Sequence, residues 1–236
     1  MCIRDRSTRL GLKGIPSAAE EIHVARDCIL AELTGGHIHL CHMSTRGSVE
    51  LIRRAKEKGL KVTAEATPHH FTLTHDRCAH YDTNAKMNPP LREAADRDAI
   101  REGLRDGTID VIASDHAPHH YDAKEREFDQ APNGITGLET ALGLAIRELV
   151  APGLLTLPEL LARMSTWPAR VFNLPGGTLA VGAPADLVLL DPDVRWMVSP
   201  EQMFSKSRNS PFLGEELVGR ALLTLVDGRV VFELGG

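Results

Sequence analysis

The chain has 236 residues, 42% hydrophobic, 25% charged and 4% aromatic, a balance that excludes collagen, low-complexity disorder and a disulfide miniprotein. A formal charge of −5 implies no basic face for nucleic acid or anionic lipid, and no apolar run approaches the ~18–20 residues of a membrane helix. Cys2, Cys28, Cys41 and Cys78 form neither a disulfide framework nor a Cys-x-x-Cys motif, and with no apolar signal core at the start the expected compartment is the cytoplasm.

In chain order, the first half alternates short apolar runs with helical patterns, the signature of βα units and a parallel sheet. Residues 37–43, "HIHLCHM", read as a strand, with Ser44-Thr45 capping the next helix. "GSVELIRRAKEKG" sets Val49, Ile52 and Ala55 on one face and stops at Gly59. Residues 60–67 form the next predicted strand, and the double proline of "KMNPPLR" (86–92) forbids regular structure after it. A polar-faced helix over 92–107 and a third strand over 108–114 follow, then helices within 137–150 and 156–165. From residue 174 the texture changes to short apolar runs broken by Gly, Pro and Asp-Gly, with a hairpin signal at Asp227-Gly228. That last segment is small for a free-standing core. A parallel barrel takes eight strands and about 250 residues, so the chain reads as a piece of something larger.

Eight of the eleven histidines fall in three groups: His37, His39 and His42; His69 and His70; His116, His119 and His120. In α/β folds reactive groups collect at the carboxyl ends of strands, where this chain carries His42, Asp115 and, after the second strand, His69 and His70. Alternation puts Ile38, Leu40 and His42 on one face and His37, His39 and Cys41 on the other. Branched apolar residues fill barrel interiors, so Ile38 and Leu40 are expected to point inward and His42 to enter the mouth. Ile109, Val111 and Ala113 give Asp115 the same placement. His37 and His39 then face the helices as packing residues, and Cys41 is no metal ligand. Asn88, held ahead of two prolines, suits a ligand-orienting role, and Arg92 could pair with a substrate carboxylate.

The segments "HIHLCHMSTRGSVELIRRAKEKGLKVTAEATPHH", "KMNPPLR", "GTIDVIASDHAPH" and "GITGLETALGL", in this order and spacing, resemble the longer, bacterial-type dihydroorotases of the amidohydrolase superfamily. The resemblance runs from about Gly11 to Phe232. It implies an α/β fold: over 11–173 about the last three strands of a TIM-like metallo-hydrolase barrel, and over 174–236 part of a small β-sandwich domain. Residues 1–10 then read as a foreign or unstructured start. The implied activity is reversible hydrolysis of the cyclic amide of dihydroorotate to N-carbamoyl-aspartate, a step of pyrimidine biosynthesis, with one or two Zn2+ ions per complete site. Carried over residue by residue, His42 resembles a zinc ligand and Asp115 a ligand that also shuttles a proton. Asn88, His119 and the backbone of Asn133-Gly134 resemble substrate contacts, although the family often has an aromatic where Asn133 stands. The family's His-x-His-x-x-Arg strand, its bridging carboxylate and a further histidine are not in this sequence, so the chain reads as truncated and inactive alone. Expected partners are the small-molecule substrate and either a second copy or aspartate transcarbamoylase, with no nucleic acid and no membrane. The alternatives are a non-catalytic relative that scaffolds aspartate transcarbamoylase, or another cyclic amidohydrolase such as a hydantoinase or allantoinase.

Overall fold

The computed structural model describes residues 6–235; of the stretch 1–10 read as foreign or unstructured, residues 1–5 lie outside the described residues, and Arg6–Leu10 is not unstructured but forms a short helix, α1. Next comes α2, Ser17–Thr34, ended by Gly35 in a left-handed conformation whose N–H donates to the Ala31 carbonyl. Sequence periodicity does not reveal this helix, because it is apolar on two sides. Val24, Cys28 and Ala31 are buried, while Ile22, Ile29 and Leu33 stand 63–79% exposed, so no single stripe emerges.

Strand β1 is Ile38–Leu40 and helix α3 is Arg46–Glu57. Strand β2 is Val62–Ala66 and α4 is Pro68–Thr72. After two 3-10 turns, α5 spans Ala94–Asp106 and stops at left-handed Gly107. Strand β3 is only Val111–Ile112, and α6 is Tyr121–Lys124. Helix α7, Ala141–Ala145, widens into a π-turn over Ile146–Val150. Helix α8, Leu157–Leu161, continues through a second π-turn into α9, Trp167–Val171. Three long strands close the chain: β4, Leu187–Met197; β5, Glu216–Val226; and β6, Arg229–Glu233. No helix among the described residues is long and apolar enough to cross a membrane.

β1, β2 and β3 form the expected parallel sheet in that order, with Ile38 opposite Val62 and Glu65 opposite Val111. β4, β5 and β6 form a separate antiparallel sheet. Its β5–β6 turn has Asp227 and Gly228 at φ 50° and 73°, as a two-residue type I′ hairpin requires.

The face assignment read from alternation is overturned on β1, whereas on β3 Val111 pairs with Glu65 on the open face and Ile112 joins the helix-side core. Leu40, Val62, Ala64 and Ala66 belong to one core with Val49 and Ile52 of α3 and Ile100 and Leu104 of α5. The apolar face of the sheet therefore meets the helices. The polar face is the other one: His37 Nε2 and His39 Nδ1 each lie 2.9 Å from Thr63 Oγ1, and His39 Nε2 lies 3.1 Å from Glu65 Oε2. His39 is thus no helix-side packing residue. Filling with branched residues holds for the middle of a barrel; so near the strand ends, polarity marks the open side instead.

Candidate functional site

Two residues just beyond strand ends have left-handed backbones, His42 at φ 58° and Asp115 at φ 47°. Such conformations cost of order 1 kcal/mol in non-glycine residues and survive where the surroundings hold them. Around His42, Met43 N donates to the Glu65 carbonyl at 2.9 Å. Ser44 N and Thr45 N donate to Glu20 Oε1 of α2 at 3.0 and 3.1 Å, just where the Thr45 hydroxyl caps α3. Around Asp115, His116 Nδ1 accepts from Gly137 N at 3.1 Å. A Cβ at Gly137 would stand 2.4 Å from the Ser114 carbonyl oxygen, so only glycine allows this loop to approach.

The left-handed turn at His42 ends β1 early and swings the imidazole onto the polar face. His42 Nδ1 lies 2.9 Å from Glu65 Oε1, at ion-pair distance, and His42 Nε2 lies 3.9 Å from Asp115 Oδ1. His69 Nε2 approaches the other oxygen, Asp115 Oδ2, at 3.9 Å. The expected approach of His42 to Asp115 is therefore present, reached on the His42 side through a backbone turn and not through strand alternation.

Electrostatics follow from burial and pairing. Burial favours a neutral Glu65, but His39 and His42 overcome it and bring its pKa to about 2. The Glu65 carboxylate in turn raises His42. Asp115 is raised, chiefly by burial, with Glu65 adding to the effect and His42 opposing it. Burial holds His69 well below the usual histidine range and His70 at about 4.

Hydrogen bonds fix the tautomers of these two histidines. His70 Nε2 donates to the Pro89 carbonyl at 2.9 Å, so its Nδ1 accepts from the Thr67 hydroxyl at 2.7 Å. With its proton spent there, the Thr67 oxygen accepts from His69 Nε2 at 2.8 Å. His69 Nε2 is a donor in this relay, which makes it a wall beside Asp115 and not a metal-binding nitrogen.

The remaining predicted residues fall in two places. His119 Nε2 donates to the Asn133 carbonyl at 2.8 Å, and Gly134 lies alongside, where a Cβ would be 2.5 Å from Ala117 Cβ. Lys124, buried, donates to the Pro132 and Gly134 carbonyls at 3.0 Å each, and burial lowers its pKa to about 8. His119, Asn133 and Gly134 are therefore one braced loop. Asn88, exposed and joined to Pro89 by a cis peptide, lies instead beside His39 and Cys41 in an open cleft of about 510 Å3.

Two expectations fail here. Arg92 is 3% exposed, donates to Ser44 Oγ and the Ile15 carbonyl at 3.1 and 2.7 Å and lies 3.7 Å from Glu20. It braces the turn that carries His42 and offers nothing to a substrate. Cys41 does not turn away from the site: its sulfur, a His39 nitrogen and a Glu65 oxygen all lie within 4.8 Å of one another. Glu65, which links His39 to His42, was missed. Its signal was a lone carboxylate amid the apolar strand "VTAEA", where a buried charge needs partners.

The sequence matches the amidohydrolase family over residues 2–231. It is 55% identical to a dihydroorotase of Syntrophotalea carbinolica, over 97% of this chain and 53% of that protein. It is 56% identical to a dihydroorotase of Pelobacter propionicus, over 96% of this chain and again 53% of the relative. The chain thus spans about half the length of the curated relatives it matches. Among solved structures, the L-hydantoinase (dihydropyrimidinase) of Arthrobacter aurescens superimposes with TM-score 0.87 at 34% identity, over 94% of this chain and 50% of that one. The dihydropyrimidinase of Brevibacillus agri gives TM-score 0.87 at 29% identity, over 92% and 49%.

Proposed function

The chain belongs to the amidohydrolase family, and from that premise we propose that it is the part of a dihydroorotase that holds the proton-transfer carboxylate and one side of the substrate site. In this reading the parallel sheet supplies the last strands of a metallo-hydrolase barrel, and the antiparallel sheet is part of an appended β domain. The observation that carries the proposal is the meeting of His42 with Asp115 through two left-handed turns at the ends of β1 and β3.

The donors suit a zinc ion. His42 Nε2 and Asp115 Oδ1 are a nitrogen and an oxygen 3.9 Å apart, which one ion can span at bonds of ~2.0–2.2 Å. Catalytic zinc takes three protein ligands, so other residues must complete the set. When bound, zinc supplies Lewis-acid polarisation of a poor amide electrophile and lowers the pKa of water toward ~7.

The chain's own residues do the rest. Glu65 Oε1 lies at ion-pair distance from His42 Nδ1 and as a charged partner favours the imidazole orientation in which Nε2 faces Asp115, the role a carboxylate plays behind a metal-binding histidine. Asp115 takes a proton from water on a carboxylate oxygen and returns it to the leaving ring nitrogen. Its raised pKa brings it nearer to neutrality, where such a shuttle works best. His69, neutral and buried, closes the far side without adding charge. The Nε2 proton of His119 is committed to the Asn133 carbonyl, so Nδ1 is the nitrogen this side chain has left to turn toward a substrate.

The test is complementation. Co-expressed with the other half of the Syntrophotalea carbinolica relative, the chain should turn over dihydroorotate in preference to hydantoin and dihydrouracil. Asp115→Asn should lower kcat about 10²–10⁴-fold without changing the far-UV spectrum. Preference for hydantoin would move the assignment to the hydantoinases; a folded complex that hydrolyses none of the three would favour the scaffolding role.

A further inference from the structure

The connection between β4 and β5, residues 198–215, leaves the antiparallel sheet and lies against the loops that carry the expected substrate contacts. Its Phe212 is buried in one cluster with Ile135 and Leu144. Ser205 N donates to Glu139 Oε1 at 2.8 Å, and Arg77 donates to the Pro211 carbonyl. Asn209, buried in the same connection, sends its hydrogen bonds across to two other segments. Its Oδ1 accepts from His119 N at 3.1 Å. Its Nδ2 donates to the Ala117 carbonyl at 3.0 Å and to the Gly134 carbonyl at 3.2 Å, and its own carbonyl accepts from Thr136 N at 3.0 Å. The amide cannot be reversed: flipped, it would set its nitrogen against an N–H and its oxygen against two carbonyls.

The two segments so joined lie side by side. Ala117 N donates to the Ile135 carbonyl at 2.8 Å, His116 and Ile135 form an isolated parallel bridge, and His119 Nε2 donates to the Asn133 carbonyl. So short a pairing is marginal by itself in water. Lys124 also meets the Gly134 carbonyl, but its ammonium bonds to the 132–134 loop, whereas the Asn209 amide bonds to both loops. We propose that Asn209 is a positioning residue for substrate binding: it clamps the His119 loop to the Asn133-Gly134 loop, and so makes the β4–β5 connection part of the substrate site. The geometry of the clamp stands by itself; its consequence for substrate rests on the proposed function. With the clamp closed, the Asn133 carbonyl stays on His119 Nε2 and Nδ1 is left for substrate. With it open, both loops shift and their contacts are misplaced together. The Asp115 turn has its own brace, from Gly137 N to His116 Nδ1, so opening the clamp acts on substrate binding more than on the proton shuttle.

Imidazole nitrogen-15 NMR of the chain as it stands reads the clamp directly, with the His119 signals assigned by their loss in His119→Gln. The wild-type chain should show neutral His119 as a fixed Nε2–H tautomer, and Asn209→Ala should turn it into an averaged mixture. Asn209→Asp keeps the volume and the acceptor for His119 N but lacks the Nδ2 donors, so it should give the same averaging even if Asn209→Ala fails to fold. In the complemented enzyme, Asn209→Ala should raise KM for dihydroorotate about tenfold and leave kcat within about threefold. In a His119→Ala background the same change should shrink to about threefold or less, because residues that act through one another are not additive. A mixed tautomer in the wild type, or a fixed one in both Asn209 variants, overturns the proposal. So does a fall in kcat with KM unchanged, or KM effects of Asn209→Ala and His119→Ala that simply multiply. If the tautomer responds as expected but the complemented enzyme hydrolyses no cyclic amide, the proposed function fails and the clamp between the loops stands.

Discussion

The two sheets of this chain are built from similar apolar runs and end up in opposite circumstances. On the parallel sheet, Ala64 and Ala66 are fully buried with Ile52, Ile100 and Leu104 of the covering helices, and the open face carries His37, His39, Thr63 and Glu65. On the antiparallel sheet, Leu217 is fully buried near Leu144 and Phe212, while Val188, Leu189, Val230 and Val231 stand 57–60% exposed. Strand composition alone does not separate these cases. What separates them is whether the chain brings its own second layer: α2, α3 and α5 cover one sheet, whereas among the described residues α7 with its π-turn is the main helix packed on the other. The uncovered face that is polar carries the candidate site; the uncovered face that is apolar is a surface lacking a neighbour.

The largest effects should come from breaking the covered side. Leu104→Ala removes a side chain with no exposed surface, and such truncations cost about 2–5 kcal/mol. Arg92→Ala should cost about 3 kcal/mol, since it removes the cation facing the largely buried Glu20 and leaves that charge only the Ser44 and Thr45 donors. The counterpart on the antiparallel sheet is Arg195 with Glu216, 71% and 51% exposed; Arg195→Ala should change stability by less than ~1 kcal/mol. Urea midpoints of the three variants check the ranking. If Arg195→Ala matched Arg92→Ala, burial would not be what distinguishes the two regions.

That contrast also explains which parts of the molecule were legible. The hairpin at Asp227-Gly228, the stripe Val49, Ile52, Ala55 and the helix stop at Gly107 are local, and their signals lie within a few residues. His42 and Asp115 stand out because they follow apolar runs, although alternation had the faces reversed on the strand before His42; on β3, where Val111 pairs with Glu65 and Ile112 joins the helix-side core, it did not. The left-handed turn at His42 corrects for that reversal, and no residue type announces it. Arg92 looked available because its partner Glu20 is 72 positions away, on a helix whose two apolar sides hide its period. Glu65 was visible as a charge in a strand, but its meaning depends on His39 and His42 in the neighbouring strand and turn.

An intermediate effect sharpens the comparison through pH. Burial lowers His70 to about 4, while an unfolded histidine titrates near ~6.5. The unfolded chain therefore takes up a proton first as pH falls. This contribution to stability is complete above pH ~6.5 and is lost as pH drops toward 4. His69 acts in the same direction, and Glu65, lowered to about 2, extends the loss from ~4.5 downward. The urea midpoint should fall between pH 6.5 and 4, and His70→Gln should flatten that slope while lowering the midpoint at pH 7. A slope unchanged in His70→Gln would place the acid sensitivity elsewhere.

The smallest effect on stability should accompany a clear effect on association. Val230 and Val231 stand 57% and 60% exposed on β6, which pairs with β5 on one side and, among the described residues, has no strand on the other. An apolar edge strand with free N–H and C=O groups is a template for pairing with another chain. Val230→Thr keeps the branched shape that suits a strand and adds a hydroxyl on an already hydrated side, so folding stability should move by no more than ~0.5 kcal/mol. Val231→Lys places a charge on the same edge, a device by which natural sheets block edge-to-edge contact. Sedimentation velocity across a concentration series should show the wild-type chain self-associating and the Val230→Thr/Val231→Lys double variant shifted toward monomer, with an unchanged urea midpoint. If the double variant associates as strongly as the wild type, the exposed face of α2, with Ile22, Ile29 and Leu33, becomes the contact to alter next. If its midpoint drops by several kcal/mol, the antiparallel sheet is more tightly bound to the rest of the fold than its exposure indicates, and the contrast between the two regions is weaker than drawn.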